Sequence, residues 1–172
     1  MSEGDDTRDA YTSHLPRGVH ESLARDLFNR VWDLIDKPDR SITENDAMVQ
    51  AAHASRFHWG VAGGPRQWAR GEWQLSRVYA ILGRLPAARF HARRCKDLVQ
   101  RHTLGPFDEA FADEAMARVC ALSGDSCARD RLLRRARAVA AQVTSTGDRE
   151  WIEYNLDAVS QLSRLQIPAA DA

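Results

Sequence analysis

Ser76-Arg77-Val78-Tyr79-Ala80-Ile81-Leu82-Gly83-Arg84 aligns with Ala117-Arg118-Val119-Cys120-Ala121-Leu122-Ser123-Gly124-Asp125, with Arg, Val, Ala and Gly identical at an offset of 41 residues. In each copy an apolar-periodic segment stops at Gly, which enters the left-handed conformation that terminates helices without steric cost. A second segment rich in Ala and Arg follows each stop. Repetition at this period indicates stacked helical pairs, because one such pair cannot bury its apolar face alone.

The remaining helices are read outward from this repeat. Leu23, Leu27, Phe28, Val31, Trp32, Leu34 and Ile35 recur at helical spacing between Val19 and Lys37, and Pro38 ends the run. Thr43 with Asp46 predicts an N-cap for a second helix reaching about Ala62, broken by Gly63-Gly64-Pro65. Pro65 suits the first turn of a third helix, which ends at Gly83. Pro86 opens a fourth, Gly105-Pro106 closes the loop after it, and a fifth spans Asp108 to Leu122. A sixth runs from Ser126 to Val143, and a seventh begins after Gly147. No alternating run between turn signals predicts a strand. The expected fold is all-α: about seven helices in antiparallel hairpins, stacked as a short right-handed array. Residues 1–17 are expected to be a disordered lead-in, 18–165 a single domain and 166–172 a flexible tail.

Composition narrows the function classes. The chain has 172 residues, enough for one domain, with 24 basic and 24 acidic side chains. This balance gives no net field for capturing nucleic acid or an anionic membrane, so neither is an expected partner. No apolar run approaches the about 20 residues of a membrane span, and no signal-peptide core precedes the first helix. Cys95, Cys120 and Cys127 lack metal-site spacing, which predicts reduced thiols and a cytoplasmic protein. No metal site and no cofactor are expected.

The run Leu75, Ser76, Tyr79, Leu82, Gly83, Ala88, Ala92 resembles the tetratricopeptide pattern, in which small residues let paired helices approach closely. The strings His58-Trp59, Ala69-Arg70-Gly71-Glu72-Trp73, Arg77-Val78-Tyr79-Ala80, His91-Ala92-Arg93-Arg94-Cys95, Phe107-Asp108 and Glu114-Ala115 together resemble a family of small bacterial tetratricopeptide-like proteins of unassigned function. The resemblance covers roughly residues 45–160. It implies an all-helical fold and no reaction, substrate or cofactor.

Several polar residues fall where apolar ones are expected. Trp68, Glu72, Leu75, Tyr79 and Leu82 share a helical stripe, so Glu72 sits among large apolar groups and needs a partner. Arg70, Trp73 and Arg77 form the neighbouring stripe, where an Arg can stack on Trp73 or meet an acid from the next helix. Glu114 and Arg118 are spaced for an intrahelical pair, and Arg118 matches Arg77 in the repeat, which favours a bridging role in the hairpin over a ligand-binding one. His53 and His58 point about 140° apart on an ideal helix and do not share a ligand. His58, Glu72 and His91 can converge inside the first repeated hairpin and hold a metal or move a proton, although hydrogen-bonded packing is the preferred reading. His14 and His20 lie near the chain end and offer less. Trp59, Trp68, Trp73 and Tyr79 suit either a core or a groove. The arginines between Arg129 and Arg137 read as a solvated face, since no aromatics interleave with them.

Two functions fit. The first is a non-enzymatic binding or adaptor module with a groove between the second, third and fifth helices for a peptide or protein partner, drawn from His58, Trp59, Arg70, Glu72, Trp73, Arg77, Tyr79, His91, Glu114 and Arg118. The alternative is a small-ligand or metal pocket, enzymatic or not, around His58, Glu72, Arg77 and His91. A homodimer follows in either case if the apolar face of the first or last helix is left uncapped.

Overall fold

The computed structural model describes residues 13–162. The expected lead-in falls mostly, and the expected tail wholly, outside that range. The helices are α1 Arg17–Ile35, α2 Ile42–Ala62, α3 Pro65–Ile81, α4 Leu85–His102, α5 Pro106–Ser123, α6 Ser126–Ala140 and α7 Thr146–Ser160. Among the described residues there is no strand.

Local chemistry sets most of the boundaries. Gly83 and Gly124 adopt φ of 70° and 83°, so both repeated segments end where the sequence places the stop. Pro65 occupies the first turn of α3, where its missing N–H costs nothing. The start of α2 differs from expectation. Ser41, not Thr43, caps it, because Glu44 three residues on reaches back to the Ser41 N–H at 2.9 Å and closes a capping box. Helix α5 starts at Pro106, two residues early, and α6 stops at Ala140, three residues short of the expected end.

Packing is heaviest within the pairs α1/α2, α3/α4 and α5/α6, and α7 lies against α5 and α6. Hydroxyl groups tie the first two pairs together. Ser55 Oγ donates to the Ala24 carbonyl at 2.8 Å and Ser76 Oγ to the Ala88 carbonyl at 2.9 Å. Each is a buried donor satisfied by a carbonyl of the opposing helix. One core joins α1, α2 and α3 through Val31, Leu34, Met48, Ala52, Leu75 and Val78. A larger one surrounds α5, whose Ala110, Ala112, Ala115, Ala117 and Ala121 let helices approach it from several sides.

The two copies of the repeat are adjacent, and their equivalence extends to charge. Arg94 of α4 donates to Glu72 of α3 at 3.1 Å, and 41 residues on Arg135 of α6 meets Asp113 of α5 at 3.1 Å. Arg135 therefore does not belong to a purely solvated face. At the open end Leu15, Val19 and Leu23 form an exposed apolar stripe. No helix among the described residues is long and apolar enough to cross a membrane.

Candidate functional site

Helices α1, α3 and α5 run in the same direction, and with α7 they border a cleft of about 200 Å³. Phe28 and Trp32 of α1, Trp73 of α3, Phe107 and Phe111 of α5 and Trp151 of α7 form its walls. Ala69 and, from α4, Cys95 and Val99 also line it. The wall rings pack on one another at an angle: Trp32 and Trp73 centroids are 5.5 Å apart at 40°, and Trp73 and Phe111 4.9 Å apart at 66°. Burial raises the Cys95 thiol well above its usual range, so it remains protonated.

At the mouth, Asp108 accepts from Arg70 at 2.8 Å and faces Arg66 at 3.3 Å, while the Arg70 guanidinium lies 5.0 Å from the Phe107 ring centre. Farther along α3, Trp73 Nε1 donates to Glu114 at 2.8 Å, and Arg118 pairs with the other oxygen of the same carboxylate. Arg77 is the repeat equivalent of Arg118, but its surroundings differ. Its position i−4 holds Trp73 where Arg118 has Glu114, so it has no carboxylate one turn back. Arg77 instead lies 5.1 Å from the Trp32 ring centre and 6.0 Å from that of Trp73, and donates through Nη1 to Asn155 Oδ1 of α7 at 2.7 Å.

A neighbouring face of α3, turned toward α2 and α4, carries a separate polar cluster. Glu72, 2 % exposed, accepts from His91 Nδ1 at 2.7 Å, Arg56 Nε at 3.0 Å and Arg94 Nε at 3.1 Å. Burial acts to raise its pKa, but the His91 hydrogen bond and the charges of Arg56 and Arg94 outweigh this and hold it below the usual carboxylate range. Tyr79 stacks on His91 at 5.4 Å and 5°, and its hydroxyl lies 2.8 Å from His53 Nε2. Gly71 is required by this arrangement, because a Cβ there would sit 2.7 Å from Arg56 Cδ as that chain crosses α3 toward Glu72.

His58 belongs to neither set. Its Nδ1 lies 2.7 Å from His20 Nδ1, and His20, 1 % exposed, also meets Ser13 Oγ at 2.7 Å. One imidazole must donate to the other, which is lost when both carry two N–H groups. Burial, then the neighbouring His20, lowers the His58 pKa below 6.5. Because the unfolded chain binds the proton more readily, this stability is present above pH 6.5 and is lost as pH falls through the depressed folded value. Burial lowers His53 in the same direction. The urea midpoint should therefore drop between pH 7 and pH 5, and His58→Gln should flatten that drop; equal slopes in the two proteins would exclude the His20–His58 pair as its source.

The sequence-derived candidates thus divide. Arg70 and Trp73 line the cleft, and Arg77, Glu114 and Arg118 surround the Trp73 side of it. Glu72, Tyr79 and His91 face α2 and α4, because position 72 is turned about 100° from position 73 on a helix. Of the four clustered aromatics only Trp73 lines the cleft, and the Trp68 indole N–H donates to the Trp59 carbonyl at 2.8 Å. No α2 residue lines it, which corrects the expected groove between the second, third and fifth helices. The His58, Glu72, Arg77, His91 constellation does not assemble; only Glu72 and His91 meet. Phe28, Trp32, Phe107, Phe111, Trp151 and Asn155 lie outside the repeated segments and are absent from the sequence-derived candidates, and His20, expected near the chain end, is buried.

Among the described residues no group of three or more His, Cys, Asp or Glu is placed to hold a metal ion. A second hollow of about 340 Å³ lies between α6 and α7. Its arginines are engaged: Arg137 with Glu153 and Asp157, and Arg149 with the carbonyls of Val143 and Thr144. No protein-family model, curated protein or solved structure matches the chain.

Proposed function

We propose that the protein is a non-enzymatic helical-repeat binding module of the tetratricopeptide-like kind, whose cleft between α1, α3, α5 and α7 takes side chains of a peptide or protein partner. The observation that carries this reading is six aromatic side chains from four helices around one open recess. Such anchors dominate partner binding when an apolar side chain displaces water from between them. Size favours a partner's side chain over a whole small ligand: about 200 Å³ lies below the 300–1,000 Å³ of typical small-molecule sites. The stacked hairpins supply rigid walls for it.

The test is selection of binders from a random dodecapeptide display library on the full chain. Enriched peptides should share an aromatic or long aliphatic residue and lose about tenfold in affinity with Trp151→Ala, a truncation typical of an interface anchor. Trp151 is 43 % exposed, so its replacement leaves the fold intact. Binders indifferent to both Trp151→Ala and Phe28→Ala would place recognition elsewhere.

A further inference from the structure

The chemistry of the partner is readable from Arg77, on the premise that the cleft is a peptide groove. Two repeat-equivalent arginines flank Trp73, and only one has a counter-ion. Arg118 is neutralised by Glu114 of its own helix. Arg77 has no carboxylate within ion-pair distance among the described residues; Asp36 and Tyr154 influence its charge only from beyond that range. Its single hydrogen bond goes to the neutral amide of Asn155, and its buried Nε has no partner. Partly buried cations ordinarily acquire an anion, because desolvation without pairing is costly. Here the guanidinium is held between the Trp32 and Trp73 rings with Asn155 fixing its direction. At the mouth Arg66 and Arg70 share one carboxylate, Asp108. The cleft lining itself carries one guanidinium, Arg70, paired with Asp108, and Arg77 adjoins the cleft through the Trp32 and Trp73 rings without a carboxylate of its own.

We infer that the cleft recognises an acidic-aromatic peptide segment, with an aromatic side chain seated among Phe28, Trp32 and Trp151 and a carboxylate of the same segment on the Arg77 guanidinium. Asn155 then acts as a positioning residue, orienting the guanidinium between the rings. The Arg77 guanidinium lies 5.1 Å from the centre of the Trp32 ring that walls the cleft, and its planar shape is suited to carboxylate geometry. Asparagine in place of the acid keeps the shape but loses the charge, and lysine meets like charge.

The experiment uses three capped pentapeptides in which two phenylalanines alternate with aspartate, asparagine or lysine. Each is titrated into the full chain while tryptophan fluorescence is followed, at 0.05 M and 0.5 M salt. The aspartate peptide should bind about tenfold more tightly than the asparagine peptide at low salt, and the lysine peptide more weakly than either. That preference should shrink at 0.5 M salt, because the part-exposed Arg77 guanidinium is open to screening. Arg77→Gln should reduce the preference to near unity while leaving the asparagine peptide's affinity within about twofold. The salt series on the unaltered protein keeps the test decisive if Arg77→Gln fails to fold. Equal binding of the aspartate and asparagine peptides at low salt overturns the acidic specificity and leaves the groove standing. Failure of all three to bind overturns the inference, and the groove falls with it only if display selection also yields no binder sensitive to Trp151→Ala.

Discussion

Glu72→Ala lowers the unfolding free energy by about 3–5 kcal/mol, the range found when one partner of a buried ion pair is removed. In a domain of this size that corresponds to a fall in melting temperature of about 10 °C. The cost arises from what remains. Arg56 loses its carboxylate while already carrying a buried Nη1 without a hydrogen bond, and His91 loses the acceptor for Nδ1. Glu72→Gln keeps the shape and one acceptor, and should cost less than the alanine replacement while still leaving two guanidiniums without a counter-charge. The pH dependence has a defined sign. The folded carboxyl titrates below its usual value of 4.5, so the contribution is complete above that pH and disappears as pH falls through the depressed value. Wild type and Glu72→Ala should therefore converge in stability in strong acid. Chemical denaturation at pH 7 and pH 3 measures both effects, and an alanine variant within about 0.5 kcal/mol of wild type at pH 7 would contradict burial of the pair, since only surface positions show such small changes.

The sequence exposed Glu72 and concealed the cleft for the same physical reason. A carboxylate on a stripe with Trp68, Leu75 and Tyr79 must be buried by any helix that buries that stripe, so the need for a partner is visible within one segment. Its partners are not. Arg56 reaches it from α2 and Arg94 from α4, and which Arg among many crosses the interface depends on helix rotation. Arg94 carried one legible signal, its match to Arg135 at the repeat offset, with Glu72 matched to Asp113. The cleft had no comparable signal. Its aromatic walls come from α1, α3, α5 and α7, and the contact between Arg77 and Asn155 spans 78 residues. Periodicity assigns each residue a face but does not say which faces oppose one another. Helix ends were legible where a single residue enforces them, as Gly83 and Gly124 do. They shifted where two residues compete, as Ser41 and Thr43 do at the start of α2.

The pair Glu114–Arg118 separates necessity from stabilisation. Glu114 is fully buried, and its two oxygens serve Trp73 Nε1 and Arg118. Burial, and then the charge of Arg77, lower the Arg118 pKa; the guanidinium nevertheless stays protonated and so depends on this carboxylate. Glu114→Leu should cost about 3–5 kcal/mol by stranding Arg118 and the indole N–H. Arg118→Met should cost about as much by stranding the carboxylate beside Trp73. The double replacement removes both charges and restores apolar packing, and should fall within about 2 kcal/mol of wild type, leaving only the Trp73 donor unsatisfied. Urea denaturation of the four proteins gives the coupling directly. A double variant as unstable as the two single losses added together would mean that the charges act independently. Arg118 would then be held by the helix rather than by Glu114, and the contrast with Arg77, on which the acidic specificity of the cleft rests, would lose its physical basis.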